Sequence, residues 1–365
     1  MRILHCADIH LDSRMDSNLD KVKAKERKSE ILNTFVRMIE YASDNDVNIV
    51  LIAGDLFDTG KVSVTCRNIV SDALRAHSEI DFYIIRGNHD RNDFIELSGT
   101  DTNIHIIGEE WEKYSLSERG KVTLYAREMG EGDGESYARA LILNPSDINI
   151  VMLHGQESES QVRDKAEIIP LRSYRNKGID YMALGHIHIP RVSKLDERGV
   201  YVYSGCLEGR GFDECGERGF YIIDIDEKTR SVSHRFVSFA GRRLFHINVD
   251  VTGLTRTSQM INRIRTEIEG SSANGNDLLK IVLTGETDVD CEMDTDYIRK
   301  TFSEEYYFVK VASATKLHVD LASYAGDISL KGEFVRNVMS APGLSEDEKS
   351  GIIRLGIKAI MGEEI

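Results

Sequence analysis

In the first half of the chain, short apolar runs alternate with stretches whose apolar residues recur at helical spacing, and a polar cluster follows most of the runs. Residues 3–6 read as a strand, and Ile31, Phe35, Ile39 and Ala42 fall on one face of a helix. Residues 48–53, Asn-Ile-Val-Leu-Ile-Ala, predict a strand buried on both faces, followed by a helix over residues 64–76. Further apolar runs at residues 81–85, 148–153 and 181–184 each end in a Gly, His or Asn cluster. Buried strands with polar clusters at their carboxyl ends are the pattern of an α/β sheet carrying a site along one edge.

From about residue 200 the pattern turns to strands rich in β-branched and aromatic residues, at 200–203 and 220–225, which are expected to complete a second sheet layer. Ala-Gly-Arg-Arg at 240–243 marks a boundary, after which Phe245, Ile247, Val249 and Val251 alternate with polar residues as in an edge strand. A helix bearing Met260, Ile261, Ile264 and Ile268 follows, then a strand at 278–283, a helix near 297–302 and a strand at 306–311, giving a βαβαβ order. Two helices, 330–340 and 346–361, close the pattern, with Ser345 and Glu348 spaced as a capping box. Their apolar residues Phe334, Val338, Ile353, Ile357 and Ile360 are expected to pack on each other or on a partner helix. The organisation this predicts is a first domain over 1–242, a small α/β cap over 243–318 and a helical segment over 319–365.

The length of 365 residues, 41% hydrophobic and 29% charged, fits a globular protein of about two domains and excludes a disordered or fibrous chain. The start, Met-Arg-Ile-Leu-His-Cys-Ala-Asp, lacks the pattern of a secretory leader, and no apolar run approaches the ~18 residues of a membrane span. The five cysteines are odd in number and scattered, without a Cys-x-x-Cys pair. A reducing, cytoplasmic location without membrane attachment is the expectation. The net charge of -15 disfavours direct affinity for nucleic acid, which normally comes from Lys and Arg that displace counterions. Lys21, Lys23, Lys25, Arg27 and Lys28 form a local basic run, to be read either as an anion-binding patch or as a solvated helix face.

Chemistry concentrates in an ordered set of short motifs: Asp8-x-His10, Gly54-Asp55-x-x-Asp58, Gly87-Asn88-His89-Asp90, His154-Gly155 and Gly185-His186-Ile187-His188. Each alone is weak, because Gly-Asp is a common turn pair and a lone His is usually structural. Together they gather at the ends of predicted core strands. Such a set suits two divalent ions about 3.5–4 Å apart that clamp an in-line displacement at phosphorus. In that reading Asp8, His10 and His188 hold the first ion, Asp55 bridges, and Asn88, His154 and His186 hold the second. Mixed imidazole and oxygen donors suit manganese, iron or zinc better than calcium.

The ordered set resembles the calcineurin-like metallophosphoesterase superfamily over roughly residues 1–240. The fold class this implies is α/β (α+β): a two-sheet βαβ sandwich flanked by helices, here with a small α/β cap and C-terminal helices. The resemblance also implies that His89 is not a metal ligand but contacts the phosphate and protonates the leaving oxygen. Asp58 would orient His89; otherwise it is a turn or capping residue before Thr59 and Gly60.

The opening Ile-Leu-His-Cys-Ala-Asp-Ile-His-Leu-Asp-Ser, together with Ala-Gly-Asp-Leu-Phe-Asp and Tyr-Met-Ala-Leu-Gly-His-Ile-His, is similar to SbcD-like DNA repair nucleases, the bacterial counterparts of the meiotic recombination eleven nuclease. That implies two divalent ions, with manganese first, and DNA as substrate. It also implies an SbcC-type ATPase partner docked through the C-terminal helices, and a possible homodimer. Cys206 stands where a serine is more usual, and Asp58 where some relatives carry a second histidine. Beside the nuclease stand two other readings: a small-molecule phosphodiesterase or phosphatase of the same superfamily, and a catalytically silent DNA-end scaffold.

Overall fold

The computed structural model describes residues 1–15, 19–58, 62–90, 101–130, 134–159, 167–288, 291–318 and 327–361. The turn expected at Thr59 and Gly60 and the expected start of the tail segment at residue 319 lie outside these. Two compact units result, Met1–Gly241 and Arg242–Ile365.

In the first unit the elements run β1 (Arg2–Cys6), α1 (Lys21–Asp44), β2 (Ile49–Ala53), α2 (Val64–Ala76), β3 (Asp81–Ile85), β4 (Ile104–Ile106), β5 (Glu112–Ser115), β6 (Val122–Ala126) and α3 (Gly134–Ala140). They continue as β7 (Ile148–His154), β8 (Gln156–Ser158), β9 (Ile168–Pro170), α4 (Leu171–Tyr174), β10 (Tyr181–Gly185), β11 (Arg191–Lys194), β12 (Val200–Tyr203), β13 (Gly219–Asp226) and β14 (Ser231–Ser238). Two six-stranded sheets form, ordered β14-β13-β1-β2-β3-β4 and β11-β12-β10-β7-β6-β5.

The sheets face each other across one apolar core. Ile3, Leu51, Tyr83 and Ile223 of the first meet Leu124, Ile150, Tyr181 and Val202 of the second. The outer face of the second sheet buries Val151, Leu153 and Met182 with Ala138, Leu171 and Tyr174 from α3 and α4. Helix α1 buries Ile31, Phe35, Met38, Ile39 and Ala42, and its Tyr41 ring lies 5.3 Å from that of Phe220 in β13. Each buried aliphatic or aromatic side chain of this kind contributes about 1.5–3 kcal/mol.

Contrary to the sequence expectation, the strands over 200–203 and 220–225 do not share one sheet. β12 does join the second sheet, parallel to β10, but β13 returns to the first sheet, antiparallel to β1 with Ile3 opposite Ile223. β13 is buried over most of its length, so it needs neighbours on both edges, and β14 supplies the second. Several short strands escaped the periodicity argument, β5 among them, because they span only three to five residues.

The second unit contains β15 (Leu244–Asp250), α5 (Thr257–Gly270), β16 (Leu278–Thr284), β17 (Glu286–Asp288), α6 (Thr295–Ser303), β18 (Phe308–Ser313), β19 (Lys316–His318), α7 (Leu330–Ser340) and α8 (Glu346–Met361). β15, β16 and β18 form a parallel three-stranded sheet with β16 central. Ile247, Val249, Ile281 and Leu283 pack with Met260, Ile264, Ile268, Ile298 and Phe302 from α5 and α6.

Helices α7 and α8 pack on each other through Val335, Ile353 and Ile357, with Phe334 and Val338 alongside, whereas Ile360 is exposed. Ser345 and Glu348 form the reciprocal cap, with Ser345 N donating to Glu348 Oε2 at 2.8 Å and Glu348 N to Ser345 Oγ at 3.3 Å. Among the described residues no helix is long and apolar enough to cross a membrane.

Candidate metal centre

The parallel strands of both sheets end at one place. Asp8 and His10 follow β1, Asp55 follows β2, and Asn88 and His89 follow β3. From the other sheet, His154 closes β7 and His186 and His188 follow β10. Main-chain hydrogen bonds lock the first two loops together: Asp8 N to Gly54 O at 3.0 Å, His10 N to Asp55 O at 3.0 Å, and Asp58 N to Leu11 O at 2.9 Å.

The backbone is strained where the polar side chains emerge. Asp8, His10 and Asp55 have φ of 51°, 49° and 52°, and His186 has 99°. Left-handed non-glycine residues cost of order 1–3 kcal/mol each and persist where the surroundings over-determine them. Gly54, at φ 92°, has no side chain to place, and a Cβ there would overlap the His154 ring.

All nine residues singled out from the sequence fall in one contiguous cluster. His10 Nε2 lies 3.2 Å from His188 Nε2 and 3.6 Å from Asp55 Oδ2. Asp55 Oδ2 lies 3.4 Å from His154 Nε2, and Asp55 Oδ1 accepts from His89 N at 2.8 Å. Asn88 Oδ1 lies 3.0 Å from His154 Nε2 and 3.3 Å from His186 Nδ1. Both oxygens of Asp8 accept from His186 N, at 2.9 and 3.0 Å. Asp58 Oδ1 sits 3.2 Å from His89 Nδ1 and 3.6 Å from His10 Nδ1.

Three sets of donor atoms in this cluster are each compact enough to hold one ion: Asp8 with His10 and His188, Asp8 with Asp55 and His154, and His10 with Asp58 and His89. The first set has the same members as the first ion's ligands read from the sequence, whereas the second joins Asp8, assigned there to the first ion, with Asp55 and His154. The third includes His89, for which no ligand role was expected.

Electrostatics separates the imidazoles. Burial lowers His10 and His186 below the ordinary histidine value, leaving neutral rings with a lone pair to donate. Burial would also lower His154, but Asp55 overrides it and lifts this imidazole to about 9, while Asp55 itself is held well below the usual carboxylate range. His89 is raised, chiefly by Asp58, and so holds a proton more readily than His10. A divalent cation fits this donor set. Asp8 and Asp55 are buried carboxylates, and buried His10 Nδ1 has no hydrogen-bond partner among the described residues.

The sequence reading missed several residues at this site. Asp90 accepts from Leu56, Phe57 and Gly87 backbone N–H groups at 3.0, 2.8 and 3.2 Å and so ties the second loop to the third. Burial pushes its carboxyl up to about 7. Glu214 approaches His188 Nδ1 at 2.6 Å and accepts from Arg210 N at 2.6 Å and Nη2 at 3.0 Å. Burial would raise Glu214, but His188 and Arg210 hold it down to about 2. Asp90 could have been found as the third polar residue of its motif; Glu214 has no local signal.

The basic run on α1 is in part committed internally. Arg27 is fully buried against Glu208 at 3.0 Å, and Lys28 Nζ pairs with Asp12 at 2.6 Å. A cleft beside Asn88 and His154 is lined by Arg86, Glu109, Glu128 and Glu167.

Residues 1–190, just over half of the chain, match the calcineurin-like phosphoesterase family. The chain belongs to this family. The βαβ sandwich is that of its family.

Among relatives, the uncharacterized metallophosphoesterase YhaO of Bacillus subtilis (strain 168) is 29% identical over 243 residues, covering 62% of this chain and 57% of that protein. The DNA double-strand break repair protein Mre11 of Methanopyrus kandleri is 24% identical over 293 residues, 73% of this chain and 62% of that one. This phosphoesterase therefore spans about three fifths of the length of those two relatives. The Mre11 of Saccharolobus solfataricus is 22% identical over 391 aligned positions, 100% of this chain and 96% of that protein.

Proposed function

We propose that this phosphoesterase is a two-metal DNA nuclease of the SbcD and Mre11 kind, dependent on manganese and working with an SbcC-type ATPase. The observation that carries this reading is the similarity to proteins named DNA double-strand break repair protein Mre11, which in one case runs the whole length of the chain. The small unit over 243–318 would act as a cap. α7 and α8 would serve as the ATPase-docking element, since Ile352 and Leu355 are exposed on α8.

In this reading Asp8, His10 and His188 hold one ion, Asn88, His154 and His186 the other, and Asp55 lies between them. When bound, two divalent ions would supply charge stabilisation at the phosphoryl oxygens and acidify the attacking water. His89 does the remaining proton work. Asp58, 3.2 Å from Nδ1, holds the ring and favours its protonated form, so that Nε2–H donates to the departing sugar oxygen. The ligand side is closed to water, with Asp8 and Asp55 at 0% and 1% exposure.

Manganese-dependent cleavage of a linear duplex by wild type and His89→Ala tests the proposal. The variant should lose about 10²–10⁴-fold in turnover while keeping its metal content. Loss of metal from the variant would instead make His89 a ligand, as its place in a third donor set allows.

The carboxylates around the cleft and the net charge of -15 favour the alternative of a small-molecule phosphodiesterase. Wild type that leaves DNA intact but hydrolyses bis-p-nitrophenyl phosphate would select that reading.

A further inference from the structure

We infer that Glu214 is a positioning residue for the metal centre, fixing the tautomer of His188, and that Arg210 couples it to the Asp58–His89 pair. The inference rests on the reading of His188 as a metal ligand.

A histidine can donate a lone pair from Nε2 only if its proton sits on Nδ1, and the partner of Nδ1 decides this. For His154 the partner is a main-chain carbonyl, Ala53 O at 2.9 Å. For His188 it is the Glu214 carboxylate at 2.6 Å, far nearer than the donor Arg210 Nη2 at 3.4 Å, and Nε2 is left facing His10 across 3.2 Å. A carboxylate only accepts, so it enforces one tautomer.

Glu214 is itself only 4% exposed and is held from several sides: Arg210 N at 2.6 Å, Arg210 Nη2 at 3.0 Å and Cys206 Sγ at 3.8 Å. Its rotamer is thus fixed by protein contacts. The other arm of the same guanidinium, Nη1, lies 3.9 Å from Asp58 Oδ1, which stands 3.2 Å from His89 Nδ1. A single cation therefore separates two carboxylates, one serving a ligand histidine and the other the proton-donating histidine.

The loop bearing these residues is anchored away from the site. Glu208 accepts from Arg27 at 3.0 Å, from Thr34 Oγ1 at 2.8 Å and from Gly241 N at 2.6 Å. The positioning of His188 is in this way tied to α1, which carries no member of the cluster.

The test uses the full chain in its metal-free and Mn2+-titrated forms. Long-range 1H–15N spectra of the metal-free wild type, with the His188 signals identified by their loss in His188→Asn, should show the proton on Nδ1. In Glu214→Gln, whose side chain can donate as well as accept, that preference should weaken. Mn2+ affinity followed by the free-ion EPR signal should fall about 10–100-fold, with kcat recovering at saturating Mn2+.

An Nε2–H tautomer in wild type would overturn the inference without any variant having to fold. So would a folded Glu214→Gln that binds Mn2+ as wild type does. In Arg210→Lys, which keeps the charge but not the fork, the Nδ1–H preference of His188 should stay while kcat at saturating Mn2+ falls and KM does not; an unchanged kcat would remove Arg210 from the proposal. Failure of wild type to bind Mn2+ would refute the metal-site reading itself and is a separate result.

Discussion

Replacing Arg27 with Ala removes one member of an ion pair that is wholly out of water. Both partners have 0% side-chain exposure, with Arg27 Nη2 3.0 Å from Glu208 Oε2, and the same guanidinium reaches Gly209 O at 2.9 Å and Glu30 at 2.7 Å. In the variant Glu208 keeps its bonds from Thr34 Oγ1 and Gly241 N but loses its only opposite charge among the contacts described. Breaking a buried pair on one side costs about 3–5 kcal/mol, because the remaining charge is left uncompensated. At about 2–4 °C per kcal/mol for a unit of this size, Tm should fall by about 6–20 °C.

Thermal unfolding of metal-free protein, followed by circular dichroism, measures it, with Lys28→Ala as the control. Lys28 pairs with Asp12 from a side chain that is 38% exposed, and such partly exposed pairs are worth about 0–1 kcal/mol. Arg27→Met combined with Glu208→Leu removes both charges and should recover much of the loss. If Arg27→Ala melts no lower than Lys28→Ala, the network is not holding the loop to α1 and the reasoning fails.

Two further outcomes follow from the packing around the site. Gly185→Ala would set a Cβ on Ala53 O, with His154 Nδ1 at 2.8 Å and Ala7 Cβ at 2.9 Å. Overpacking should cost about 1–3 kcal/mol and weaken divalent-ion binding through His154; wild-type melting and ion affinity together would show that the strands have room to spare. His5 is fully buried beside Tyr181 OH at 3.0 Å, and burial pushes its imidazole down to about 3. Its folded pKa thus lies below the unfolded 6.5, so stability is complete above that pH and declines as pH falls towards 3, because the unfolded chain takes up a proton that the folded one refuses. The slope is about 1.4 kcal/mol per pH unit. Urea unfolding across this range should give a flatter dependence for His5→Leu, and parallel curves for the two proteins would exclude His5 as the cause.

The sequence alone carried the longer buried strands and the first two helices of the first unit. Residues 49–53 are apolar without alternation and emerged as β2, buried on both faces, and the polar pairs after each run stand at the strand ends that form the site. Side-chain period and residue type are local properties, so they survive reading one residue at a time.

Long-range partners were decided by the tertiary structure. β13 could be recognised as a strand but not as the neighbour of β1, because pairing across 222 residues depends on which edges are left open once the rest has folded. Asp8, His10 and Asp55 are of types that tolerate positive φ, but that they adopt it is decided by the main-chain bonds that lock their loops together. Arg27 looks like one more lysine-type charge in a basic run until Glu208, 181 positions away, is brought against it. Glu214 lies 26 residues from His188 with no motif around it, and only the returning loop turns it from a surface-type residue into the acceptor that orients an imidazole. An acid or a base acquires its role from what burial leaves within about 3 Å of it, and that is a property of the fold rather than of the string.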